Sequence, residues 1–265
     1  MEHKKYELLE EDTIEINGKT LYRIKAVKSF GKIKEGELGG YIESFHNLSD
    51  YGNAWVSDFA AVYENARIFE NAVVYGDATV CGDASIHGDA RIYGNAEVSK
   101  NAEVFGNATV HGDALVHGDA RVYEHANVYE DAFIPGNARV FGYANVYGDA
   151  CVRDDALVHG DARVYGDAWV SGKADIYGDA RVYDDARVYG AAKVYGDARV
   201  YGEARVYGDA RVCGDARVYD DARVYDDARV YDAASIYDDL LAKQKLNSKY
   251  GETMTQAFMM TKNKK

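Results

Sequence analysis

The chain has very little proline, cysteine or tryptophan: one, three and two residues among 265. The single proline, Pro135, falls in an outward slot of the repeat described below. Cys81, Cys151 and Cys213 are odd in number and far apart along the chain. That separation excludes an intrachain disulfide framework, and the odd count fits a reducing cytoplasm, the compartment expected here. No run of about 18 apolar residues exists, so no membrane span is expected. Met1-Glu2-His3-Lys4-Lys5 lacks the apolar stretch of a signal peptide. Basic excess is missing as well, with a net charge of −13. Residues 51–239 hold 33 acids against 17 bases, whereas residues 240–265 hold six lysines and one glutamate. Such an acidic body does not suit direct nucleic-acid binding. The P-loop and dinucleotide fingerprints are absent.

What the chain does have is one unit, repeated. From Ala54 to Ala234 alanine occupies every sixth residue, and Val or Ile follows two residues later each time, from Val56 to Ile236. No insertion breaks the count, and the consensus near Ala198 reads A-R-V-Y-G-D. Within A-R-V-Y, small or β-branched residues alternate with polar or aromatic ones. This is strand periodicity, with Ala and Val on one face. Gly-Asp or Gly-Asn then supplies a corner, because Gly tolerates positive φ and Asn or Asp tolerates the left-handed region. A chain that turns the same way after every short strand must coil, and three units close a triangle.

The Val-x-Gly-Asp-Ala-x unit resembles the hexapeptide repeat of the left-handed β-helix, and the left hand is implied by that resemblance alone. The expected fold is all-β: a single-stranded, three-sided β-solenoid over residues 51–238. Its roughly ten 18-residue coils would span on the order of 50 Å at a strand spacing of about 4.8 Å. Residues 1–50 read as a cap. Thr13–Ile16 and Lys19–Tyr22 flank Asn17-Gly18, a type I′ turn signal. Leu38, Ile42 and Leu48 fall on inward registers and read as a first, irregular coil, with the hairpin covering its open edge. Leu38-Gly39-Gly40-Tyr41-Ile42-Glu43-Ser44, with Asn47-Leu48-Ser49 and Gly52-Asn53-Ala54-Trp55-Val56, resembles the YdcK-type β-solenoid proteins of bacteria and their phages. That resemblance covers about residues 6–237. It implies a cap followed by a long hexapeptide helix, in a family often labelled transferases on fold similarity. Residues 239–265 read as a helical cap that opens at Asp238, with Leu240, Leu241, Tyr250, Met254, Ala257 and Phe258 on one face and a basic tail from Thr261.

Residues 18 apart should stack. One outward column reads Tyr75, Tyr93, His111, Tyr129, Tyr147, Tyr165, Tyr183, Tyr201, Tyr219 and Tyr237. A second reads Phe69, His87, Phe105, Tyr123, Phe141, His159, Tyr177, Tyr195, Cys213 and Tyr231, and a third is mixed until Tyr189, Tyr207 and Tyr225. The first column is the candidate interaction face, a flat aromatic platform for a protein or glycan partner or for self-association. Arginines two residues before many of these tyrosines point to cation–π contacts. Corner carboxylates such as Asp113, Asp131, Asp149, Asp167 and Asp185 form a column whose like charges repel.

Many hexapeptide-repeat proteins are CoA-dependent acyltransferases, and that resemblance implies a loop leaving the helix and a histidine acting as general base. Here no loop leaves the repeat between residues 51 and 237. His87, His111, His117 and His159 take slots usually held by Tyr, His125 takes a corner slot, and no catalytic dyad stands out. One carboxylate per coil on a convex corner does not converge on a metal. The sequence therefore reads as a non-catalytic scaffold or binding protein with no catalytic, cofactor or metal residues, and acyl-CoA is not expected to bind. The alternatives are an acyltransferase-like enzyme and an acidic mimic of nucleic acid that inhibits a basic defence protein.

Overall fold

The protein is represented by a computed structural model that describes residues 4–237, 241–242 and 245–247. Among these residues every regular element is a strand. Two compact units are distinguished, residues 1–131 and 132–265.

In the first unit β1 (Tyr6–Ile16) and β2 (Lys19–Ala26) form an antiparallel hairpin. It is closed by Asn17 (φ 53°) and Gly18 (φ 75°), the two positive dihedrals that a type I′ turn requires. β3 (Leu38–Ile42) pairs antiparallel with β2 and parallel with Ala61–Val62. Beyond it the chain makes two-residue strands, one per hexapeptide, each bonded in parallel to the strand one coil on, as Arg91 is to Thr109. Three sheets result. Within this unit the hairpin face reaches Leu115–Val116, the Tyr75 face takes in Trp55–Val56 to Asn127–Val128, and the His87 face takes in Arg67–Ile68 to Arg121–Val122.

The strands of the second unit likewise fall in three sheets. Within this unit they run from Phe133–Ile134 to Leu241–Ala242 (the Trp169 face), from Asn145–Val146 to Ser235–Ile236 (the Tyr165 face), and from Arg139–Val140 to Lys245–Asn247 (the His159 face). In both units the periodic residues fill the interior. Each repeat alanine from Ala54 to Ala228, and each Val or Ile from Val56 to Val230, is at most 1% exposed. Burying one such valine contributes about 1.5–3 kcal/mol, before the entropy of ordering is set against it.

The two ends differ from expectation. Ile42 lies opposite Val62 and Leu48 opposite Ile68, two residues more than in the repeat, where Val56 faces Val74. Ile42 and Leu48 are buried, but Leu38 pairs with Lys25 of the hairpin and is 48% exposed, so it is not an inward residue. The longer first coil accommodates Asn47, which is fully buried and whose Nδ2 donates to the carbonyls of Glu64 and Ala66, each at 2.9 Å. At the other end the described residues form strands where a helix was expected. Leu241–Ala242 pairs with Arg223–Val224, and Lys245–Asn247 pairs with Arg229–Tyr231. A sheet edge carries unpaired backbone groups that a following segment can satisfy by extending the ladder, and here that outweighs the dipole and amphipathic signals of a helix. The rest of the expected cap, including Leu240, Tyr250, Met254, Ala257, Phe258 and the tail from Thr261, lies outside the described residues.

Side chains finish the open edge of the first coil. The Lys5 Nζ donates to the Ala54 carbonyl at 2.8 Å and sits 4.8 Å from the Phe30 ring centroid. The Tyr6 hydroxyl donates to the Leu48 carbonyl at 2.7 Å. Trp55, outward by register, is covered, with Tyr6 and Phe30 packed edge-on against it. The hairpin also shields part of an outward column, because Leu21 packs with Tyr41, Ala61 and Tyr63, joined by Ile14, Ile16 and Cys81.

Candidate functional site

The parallel register brings outward residues 18 apart into columns, as the spacing required. In the first unit Tyr75, Tyr93, His111 and Tyr129 stack with centroids 4.7, 4.6 and 5.1 Å apart. In the second unit Tyr147, Tyr165, Tyr183 and Tyr201 stack at 4.9 Å with interplanar angles of 1–3°. Tyr219 and Tyr237 continue at 5.0 and 5.5 Å. Ring faces are therefore spent on neighbouring rings. The column shows solvent its edges and hydroxyls, and of its members only Tyr237 ranks as exposed. Burial pushes the phenols of Tyr75, Tyr165 and Tyr183 up, and the neighbouring tyrosines add to the effect.

His111 lies between two tyrosine rings, and this desolvation lowers its pKa below the ordinary 6.5 against the pull of Asn127 and Glu130. Desolvation, aided by Lys100, lowers His117 as well. An unfolded imidazole thus binds a proton that the folded one resists. The stability each contributes is complete above pH 6.5 and is lost as pH falls below it. His111→Tyr should weaken this acid sensitivity while extending the tyrosine stack. The check is a comparison of melting temperatures between about pH 5 and pH 8, where the variant's profile should be flatter than the parent's.

Two imidazole–carboxylate pairs escaped the column reading, which links residues 18 apart. His87 is sandwiched by Phe69 and Phe105, with Nε2 3.2 Å from Glu103 Oε1, and the other oxygen of Glu103 meets Arg121 Nε at 3.2 Å. His159 is sandwiched by Phe141 and Tyr177, with Nε2 3.0 Å from Asp175 Oδ1, and Lys193 Nζ stands 3.5 Å from Asp175 Oδ2. Each acid follows its histidine by 16 residues and sits diagonally on the next coil. The signal, a histidine in the second outward slot and an acid 16 residues on, is visible in the sequence once diagonals are considered. Such a pair can orient an imidazole as a base. Among the described residues neither histidine is hydrogen-bonded to a hydroxyl or thiol, and the aromatic sandwich occupies both faces of each ring.

The corners supply a second kind of column. Asn95 Nδ2 donates to Asp113 Oδ1 at 2.7 Å and Asn101 to Asp119 at 2.9 Å, so amides relieve carboxylates in the first unit. In the second unit the Asp167 carboxyl is pushed up by partial desolvation and by Asp149 and Asp185. Cys81, Cys151 and Cys213 are free. No group of three metal-ligating side chains converges among the described residues. No helix among them is long and apolar enough to cross a membrane.

These geometries can be set beside known proteins. The family model for the YdcK β-solenoid repeat matches residues 174–190, 180–196, 192–208, 204–220, 210–224 and 222–238. No curated protein matches. Among solved structures, LpxA from Acinetobacter baumannii is similar at 13% identity and a TM-score of 0.32, with 62% of this chain and 70% of that chain covered. A likeness at that level carries no argument about activity. The chain thus carries YdcK β-solenoid repeats across residues 174–238, and its described residues fold as a β-solenoid.

Proposed function

We propose that this protein is a non-catalytic β-solenoid scaffold that docks a protein partner, or a second copy of itself, through its tyrosine column. The Tyr165 face of the second unit carries this reading. There the tyrosine stack runs beside a column of arginines, Arg163, Arg181, Arg199 and Arg217, in direct parallel register. None of these four arginines is ion-paired among the described residues. Phenol edges and free guanidinium groups thus recur together along a flat face. Tyr and Arg are the residues that most often dominate binding energy at protein interfaces. Contacts repeated at coil spacing would also add in a multivalent way.

Replacing Tyr147, Tyr165 and Tyr183 together with serine is expected to lower the sedimentation mass, or to abolish capture of the partner from the native host. The buried Ala and Val columns, and hence the strand content, should be untouched. An unchanged mass together with unchanged capture would make the column purely structural. Acetyl-CoA at micromolar concentration should leave the melting temperature where it is, and a clear upward shift would return the enzyme reading to first place.

A further inference from the structure

The Trp169 face departs from the tyrosine repeat at Pro135, Arg153 and Ser171, and Ser171 is the smallest residue in that run. The first outward column of this face reads Trp169, Arg187, Arg205, and its second reads Arg153, Ser171, Tyr189. Ser171 stands between the larger Arg153 and Tyr189. The gap opens a groove of about 240 Å³ lined by Arg153, Trp169, Ser171, Arg187, Tyr189 and Arg205. Trp169 is 39% exposed, and its ring lies 4.7 Å from the Arg153 guanidinium. Arg187 and Arg205 oppose one another in register, and neither is ion-paired among the described residues. Arg153 is ion-paired with its neighbour Asp154, at 3.6 Å.

The corner residues carry a second, independent departure. Between Asp149 and Asp227 the second corner position is acidic in every hexapeptide but two, where Lys173 and Ala191 stand. Those two follow Ser171 and Tyr189 on successive coils. Asp154 and Asp155 remain after Arg153, but the corners after Ser171 and Tyr189 carry no carboxylate, and one of them carries a cation.

We propose that this groove binds a phosphate monoester attached to a planar ring, the chemistry of a mononucleotide. Planar guanidinium forks present parallel N–H donors that match phosphate oxygens. Three of them suit a dianion better than a single carboxylate. Two opposed arginines without a counter-charge repel, and a bound anion removes that repulsion. Trp169 and Tyr189 supply the apolar surface for a ring. The groove is smaller than the roughly 300–1,000 Å³ of an enclosing ligand pocket, which suits a phosphate held inside with the ring resting on the indole.

The test uses the full chain and calorimetric titration with AMP, adenosine and inorganic phosphate at low salt. AMP should bind with a dissociation constant of about 1 mM or tighter, phosphate roughly tenfold more weakly, and adenosine not measurably. Ser171→Tyr restores the repeat residue, fills the gap and should abolish AMP binding with the melting temperature kept. The double variant Arg187→Gln, Arg205→Gln should weaken AMP by at least about tenfold. The site is refuted by absence of AMP binding at about 10 mM, or by undiminished binding in a folded Ser171→Tyr variant. Equal affinity for phosphate and AMP would overturn the role given to the ring.

Discussion

Lys5→Met is expected to lower unfolding stability by about 2–3 kcal/mol, because it orphans a buried acceptor as well as deleting a donor. Lys5 is 1% exposed, and its Nζ is the hydrogen-bond donor to the buried Ala54 carbonyl on the edge of the first coil. Methionine keeps an unbranched stem of similar length, so the loss would report the hydrogen bond and the charge, including the contact of Nζ with the Phe30 ring, rather than a large cavity. The pH dependence gives a second handle. Burial pushes the Lys5 ammonium down to about 8 from the ordinary 10.5, with Asp50 opposing and Lys28 assisting. The folded chain therefore releases this proton before the unfolded chain does. The stability contribution of Lys5 grows as pH rises from 8 toward 10.5 and is lost as pH falls back through 8. Urea melts of parent and variant at about pH 7 and about pH 10 should show the gap widening at the higher pH. Equal midpoints at both pH values would mean that water can replace the ammonium at this edge.

The coil was legible in the sequence because one geometric requirement recurs without interruption. Ala and Val at fixed spacing define an inward face, and the Gly-Asp corner defines where the chain turns. The Asn17-Gly18 hairpin was legible for a similarly local reason, two residues that accept positive φ. What escaped depends on contacts between segments. Leu38 occupies an inward register by counting, yet it pairs with Lys25 of the hairpin, and the first coil is longer than the rest, with Asn47 turned inside to bond two carbonyls. No local pattern announces that. Leu241 and Ala242 carry a helix-compatible pattern, and an available sheet edge decides in favour of a strand.

The candidate site shows the same division. Column membership of Tyr75 through Tyr237 follows from spacing. The way those tyrosines present themselves does not, since the close stacking that register imposes covers the faces a flat platform would have offered. The His87–Glu103 and His159–Asp175 pairs join a second outward slot to a first outward slot on the next coil, a diagonal that column counting passes over. The groove beside Ser171 has a sequence signature too, but as a departure: serine beside large residues, then lysine and alanine in place of acids.

Gly160 allows the corner chemistry itself to be tested with two substitutions of opposite character. Its φ is +69°, and an added Cβ would lie 2.9 Å from the Gly178 nitrogen. Non-glycine residues do occupy this corner slot elsewhere in the second unit, and those at positive φ are all aspartates: Asp154, Asp184, Asp220, Asp226 and Asp232. The first two show why. Asp154 Oδ2 accepts from the Gly172 N–H at 3.1 Å, and Asp184 Oδ2 from the Gly202 N–H at 3.3 Å. The carboxylate gains a bond to the next coil that offsets the left-handed conformation. Gly160→Asp should therefore cost only about 1 kcal/mol. Gly160→Val has no acceptor, and its branched Cβ is least compatible with positive φ. With the strain of the left-handed region and the close Gly178 backbone together, it should cost about 3–4 kcal/mol. Denaturant unfolding of both variants measures the difference directly. A valine variant no less stable than the aspartate one would show that the corner is held by something other than backbone geometry and the carboxylate-to-amide bond. The serial aspartates would then need a different physical origin.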